Sequence, residues 1–238
     1  MADPRFQTSV QTRTRDEAVV DEGLRAYMLR VYNYMAMGLG LTGVVAYAVS
    51  SSPTIMQAIF GSGLMWVAIL APLGLVFFLS FRIHAMKPAT AQAVYWLYAG
   101  LNGVAFSVIF IAYTQTSIAR VFFITAGTFA AVSLYGYTTK RDLTGWGSFL
   151  FMGLIGIIIA SVVNMFMASS ALHFAISVIG VLIFTGLTAY DTQKIKEMYY
   201  EGDEDGTATK KAVMGALRLY LDFINLFLML LRLFGNRN

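Results

Sequence analysis

Residues Ala212 to Leu233 read AVMGALRLYLDFINLFLMLLRL. At about 1.5 Å per residue these 22 residues can cross a hydrocarbon core about 30 Å thick, yet an aspartate, Asp222, sits near their middle. A charged side chain at the centre of a membrane helix costs roughly 2.5–3.5 kcal/mol on insertion scales, so it normally faces protein or water and has a partner. At helical spacing Asp222 shares a face with Arg218, Leu219, Asn225 and Leu226, which gives this helix one polar stripe. Such a helix belongs inside a bundle, and the rest of the chain is expected to be arranged around it.

Composition agrees. The chain has 238 residues, of which 58% are hydrophobic and only 13% charged, against about 25% in an ordinary soluble domain. Further apolar spans fall at Val31–Val49, Leu64–Phe81, Ala91–Tyr113, Val121–Tyr137, Trp146–Ala168 and Leu172–Ala189. With the C-terminal one they make seven, joined by short connections that imply antiparallel neighbours. The expected fold is therefore an all-α integral membrane protein. Residues 1–29 are polar, with five acids and four arginines, and read as a partly disordered cytoplasmic tail with no cleavable signal peptide; residues 30–238 form the membrane domain.

The net charge of +4 does not point to nucleic acid, because the basic residues lie in short loops beside apolar spans. Thirteen lysines and arginines fall on the side of the N-terminal tail and three, Arg120, Arg232 and Arg237, on the other, which places the N-terminus in the cytoplasm. An odd number of crossings puts the C-terminus outside; the positive charge after Leu233 favours the inside, and a re-entrant last segment is the alternative. Glycines in the first, fifth and sixth spans (Gly38, Gly40, Gly43, Gly153, Gly156, Gly180, Gly186) read as helix-packing positions, and Pro72 as a kink in the second span.

Little in the chain suits catalysis. There are no cysteines, and His84 and His173 are too few and too scattered for a zinc site. Asp222 follows Leu219-Tyr220-Leu221, so the Gly-x-Gly-Asp half of an intramembrane aspartyl protease is missing, and Ser148 has no histidine nearby. No lysine lies within a span to form a retinal Schiff base. The acidic run Glu201 to Gly206 lacks the spacing of a calcium loop and reads as solvated. The protein is expected not to be an enzyme, and no cofactor or structural metal is expected.

The buried charges offer two readings. In one, Asp222 forms a local i, i+4 pair with Arg218 that merely lowers the cost of insertion. In the other, Asp222 joins Asp191 at the end of the sixth span. Two carboxylates in a poorly solvated site resist being ionised together, so such a pair responds to protons. Arg82, leaving the second span on the same side, is the natural cationic partner, although an arginine there can equally snorkel to headgroups. Depth stands against the pairing: Asp222 lies about 15 Å beyond Ala212. The conflict disappears if the membrane part of the last span begins nearer Ala216 to Arg218, or if the sixth helix continues through Tyr190 to about Met198; Thr192 to Tyr199 contains no helix breaker. Asn102, Ser107, Asn164 and Asn225 are candidate polar residues of an ion path, and each can equally be an internally satisfied hydrogen bond.

Gly186-Leu187-Thr188-Ala189-Tyr190-Asp191-Thr192-Gln193-Lys194-Ile195-Lys196, followed by Leu219-Tyr220-Leu221-Asp222-Phe223-Ile224-Asn225-Leu226-Phe227, resembles the closing signature of the Bax inhibitor-1 family. The likeness covers roughly residues 25 to 238, and the run Ser133 to Leu143 (SLYGYTTKRDL) is similar to its proteobacterial inner-membrane branch. The resemblance implies six helices around a central C-terminal one. It also implies a pH-sensitive calcium leak through the Asp191–Asp222 pair with an arginine latch from the second helix, carried over to Arg82, and calcium as the permeant ion. Bacterial members also resemble modulators of membrane proteases and other envelope complexes, so a non-conducting regulator that binds such a partner is the competing expectation.

Overall fold

The computed structural model describes residues 4–238, with side-chain surroundings from residue 21 onward. Eight helices carry the argument: α1 Pro4–Ser50, α2 Pro53–Phe60, α3 Leu64–Arg82, α4 Pro88–Phe106, α5 Ile109–Ala112, α6 Gln115–Thr138, α7 Thr144–Met167 and α8 Ser170–Glu197, packed with a ninth, α9 Asp205–Phe234. Among the described residues there is no strand, only an isolated bridge between Tyr113 and Arg237. Among the described residues six helices are long and apolar enough to cross a membrane, and the bent pair α1–α2, which turns through 100°, makes a seventh if taken as one span.

α9 is the axis. It packs against α1, α4, α6 and α8, while α3 leans mainly on α4 and α7 on α8. Its buried residues, from Ala212 and Val213 to Leu230 and Leu231, cover most of its circumference. Only a helix in the middle of a bundle buries itself in this way. Four helices are thus in direct contact with α9, and α3 and α7 are braced on α4 and α8. α9 is also one unbroken helix.

Helix ends differ in detail from the hydropathy pattern. α1 is continuous from Pro4 to Ser50, and Tyr27 and Met28, within the polar leader, are core residues. Residues 1–3 of the tail lie outside the described residues. The third span is interrupted at Ser107, whose hydroxyl bonds back to the Val104 carbonyl at 2.7 Å, and resumes as the short α5. Pro72 is buried inside an α3 that is not broken. Of the glycines, Gly38, Gly153, Gly180 and Gly186 face Tyr95, Ile183, Met229 and Leu150 so closely that a methyl group would collide, whereas Gly40, Gly43 and Gly156 face open space. The first four are packing contacts.

Hydroxyl bridges tie helices together where lipid offers no competing partner. Thr42 Oγ1 donates to the Ala99 carbonyl at 2.8 Å and lies 2.7 Å from the Tyr220 hydroxyl, joining α1, α4 and α9. Tyr32, Ser133 and Thr192 form a second thread at 2.6 and 2.9 Å through α1, α6 and α8. The charged loops gather at two ends. At one, Lys196 Nζ donates to the Tyr137 carbonyl at 3.0 Å and Lys210 Nζ to the His84 carbonyl at 3.2 Å; this is the basic end. At the other, Arg120 reaches the Phe234 carbonyl at 3.4 Å, and the amide of Thr114 donates to the Asn236 carbonyl at 3.0 Å.

Candidate functional site

The sixth-span motif is a helix in which consecutive residues serve different neighbours. α8 does run on through Tyr190 to Glu197. Tyr190 covers Gly147, where any side chain would strike its ring, so α7 can approach. Thr192 bonds back to the Thr188 carbonyl at 2.7 Å and onward to Ser133. Gln193 clamps the α6–α7 loop, accepting from the Leu143 amide and donating to the Arg141 carbonyl, each at 2.8 Å. Asp191 is left to face the cleft between α7 and α9.

The depth conflict is resolved by register. Gly215 of α9 lies against Ile195 of α8, so α9 begins ten residues before this crossing while α8 continues only two past it. The first turns of α9 thus stand beyond the end of α8. Asp222 and Asp191 come together in this part of the bundle, both lining the cleft between α7 and α9. Asp222 is 5% exposed, and its Oδ2 has no hydrogen-bond partner.

The cation here is Arg218. Its Nη1 lies 3.8 Å from Asp191 Oδ1, across the helix interface, and the pair is partly open, with side-chain exposures of 43% and 17%. Among the described residues the ion pair of Arg218 is with Asp191 rather than Asp222. The i, i+4 spacing puts both residues on one face, but the guanidinium reaches past Asp222 to the neighbouring helix. Arg82 is exposed at the end of α3 and, among the described residues, forms no ion pair with either aspartate. A latch by Arg82 is therefore not the arrangement present.

The four candidate polar residues divide. Asn225 lines the same cleft as the aspartates, its amide donating to the Leu221 carbonyl at 2.8 Å. Asn102 donates within α4 to the Tyr98 carbonyl at 3.2 Å, and Asn164 accepts the Ser169 amide at 3.0 Å where α7 ends. Those two, like Ser107, complete local backbone structure away from the pair. The cleft, about 840 Å³ in volume, also takes in Ser148, Ser161 and Arg232, none of which the sequence reading placed with the aspartates. Arg232 follows Arg218, Asp222 and Asn225 along one face of α9, so extending the stripe by two turns would have found it. Tyr27 is a second omission: its buried hydroxyl has no partner, and no pattern in the polar leader distinguished it.

Among the residues with described side chains no cluster of His, Cys, Asp or Glu could hold a metal. Asp203 of the acidic loop pairs with Lys211. Asp142, in the α6–α7 loop, accepts from Thr144 at the start of α7, whose hydroxyl and amide hold its carboxyl below the ordinary carboxylate range. A lowered carboxyl supports the fold above its unfolded pKa and loses that contribution only as pH falls through the folded value, so Asp142 stays ionised near neutrality and takes no part in a response there.

The fold and the site define a polytopic helical-bundle membrane protein with a carboxylate pair buried against its central helix. The family model described as "Inhibitor of apoptosis-promoting Bax1" matches residues 24–238, and the chain belongs to the Bax inhibitor-1 family. It is 52% identical to the protein RP147 of Rickettsia prowazekii, over 97% of this chain and 98% of the relative. It is 48% identical to the inner membrane protein YbhL of Escherichia coli K12, over 98% of each chain. The membrane protein SpyM3_0260 of Streptococcus pyogenes is 38% identical over 92% of this chain and 96% of its own.

Proposed function

We propose that the protein is a proton-sensitive cation leak, with calcium as the permeant ion, gated at the Asp191–Asp222 pair. It lies in a bacterial inner membrane with its basic end and N-terminus in the cytoplasm, a reading supported by thirteen cationic residues against three. The observation that carries the gate is the unpartnered Oδ2 of the buried Asp222, beside a second carboxyl group with one guanidinium in reach. Two carboxylates and one arginine leave one negative charge over. A single shared proton neutralises the group and supplies the donor that Oδ2 lacks. A second proton discharges Asp191, removes its attraction for Arg218, and frees α9 from α8 at this level. In this reading Arg218 holds the position of the latch. Calcium favours oxygen ligands, and the cleft offers them from Asp191, Asp222 and Asn225.

The sign follows: leak increases as pH falls. Calcium flux into liposomes holding the purified protein, followed from about pH 8 to about pH 5.5, tests it. Asp222→Asn keeps the shape of the side chain and removes its titration, so it flattens the profile. An unchanged profile in folded Asp222→Asn protein would sink the scheme.

A second reading is a non-conducting regulator of a membrane protease or other membrane complex. It is favoured by the positions of Asn102, Ser107 and Asn164, none of which extends the cleft, and by Arg232, a cation at its far end. Absence of flux at every pH, from protein that elutes as a single folded species, decides for this reading.

A further inference from the structure

On the opposite side of α9 from the aspartate cleft, α1 and α6 part to leave a groove of about 780 Å³. It follows α1 from Arg25 to Gly40 and α6 from Tyr137 to Phe122, 15 residues in each case, or about 22 Å. Phe223, the residue after Asp222, forms its floor and meets Phe122 and Phe129 edge to face. The walls are almost wholly apolar. The polar groups that line its middle, the Tyr32 and Ser133 hydroxyls, are already bonded to each other at 2.6 Å and through Ser133 to Thr192. They leave nothing for a polar ligand to complete.

One mouth differs from the rest. Arg25 lines it, and Lys196 Nζ sits 5.1 Å from the Tyr137 ring that forms the other lip. A long apolar channel with two cations at one end matches a molecule with a long apolar chain and an anionic head. We propose that the α1–α6 groove is a binding site for one acyl chain of an anionic phospholipid, its phosphate held at the basic end by Arg25 and Lys196. The site stands apart from the carboxylate pair and does not depend on what that pair does.

Space for a test is built in. A side chain at Gly40 meets nothing within 4 Å, so Gly40→Leu fills the groove without disturbing the packing of α1. The full chain is extracted from vesicles of phosphatidylcholine with a minor share of phosphatidylglycerol, and the lipids retained are weighed by native mass spectrometry. Retention of one phosphatidylglycerol per chain is expected, at least tenfold less in Gly40→Leu and in Ala126→Trp, with Ile159→Trp on the outer face of α7 unchanged. Arg25→Gln and Lys196→Gln each lower the preference for phosphatidylglycerol over phosphatidylcholine about fivefold. Equal retention of the two lipids, retention indifferent to both groove-filling variants, or a second copy of the chain in place of lipid would each overturn the proposal.

Discussion

α7 and α9 are both membrane helices of ordinary length, and they follow opposite rules. In α9, 67% of the membrane-spanning window is buried in protein; in α7, 11%. α9 carries Arg218, Asp222, Asn225 and Arg232, whereas α7 has no charged residue from Thr144 to Met167. In water the more apolar helix would be the one inside. Here lipid receives the apolar surface at no cost, and the helix that cannot face lipid is drawn to the centre. A charge in the chain thus works as an address, and packing follows from it.

The contrast can be broken most severely through glycine. A side chain at Gly136 of α6 would strike the backbone of Ala189 on α8, while one at Gly156 of α7 meets open space. Gly136→Leu should destabilise by about 3 kcal/mol or more, because backbone cannot move aside, and Gly156→Leu by under about 0.5 kcal/mol. Thermal unfolding in detergent measures both, and equal losses would dissolve the distinction between core and outer helices. A smaller effect belongs to Arg218→Gln. Without the cation that reaches Asp191, protonation becomes easier, so the pH response of flux shifts to higher pH; an unmoved midpoint would remove Arg218 from the site. Smaller still is Thr42→Val, which cuts the bridges to Ala99 and Tyr220 and should cost about 1 kcal/mol, read as a lowered unfolding midpoint.

Why some of this was legible in the chain, and some not, has a physical basis. The address of α9 could be read because a buried aspartate is costly wherever the helix goes. The pairing of Asp191 with Asp222 was open to inference from the motifs, but its register depended on how far α8 runs, and hydropathy stops at Ala189 because the next residues are polar. Those polar residues are bonded inward, by Thr192 to Ser133 and by Gln193 to the Leu143 amide, which a hydropathy profile cannot register. The partner of Arg218 is hidden for a related reason. Helical spacing says that Arg218 and Asp222 share a face, but the adjacent helix decides which carboxylate the long side chain reaches. Tyr27 escaped because the polar residues around it made its segment look like solvent-facing tail, although α1 carries it into the core.

The central position of α9 also sets an order of events. The ribosome delivers α1 to α8 before it, so those helices enter the bilayer around a place that nothing yet fills. The Tyr220 end of the Thr42 bridge, the Arg218 that faces Asp191 and the Phe223 floor of the lipid groove all arrive together, in one helix. Asn236 then bonds to Ser117 at 2.9 Å and Asn238 to the Ala112 carbonyl at 3.2 Å, and the bundle is shut at its far end. A chain halted before Arg218 therefore lacks the helix against which α1, α4, α6 and α8 all pack.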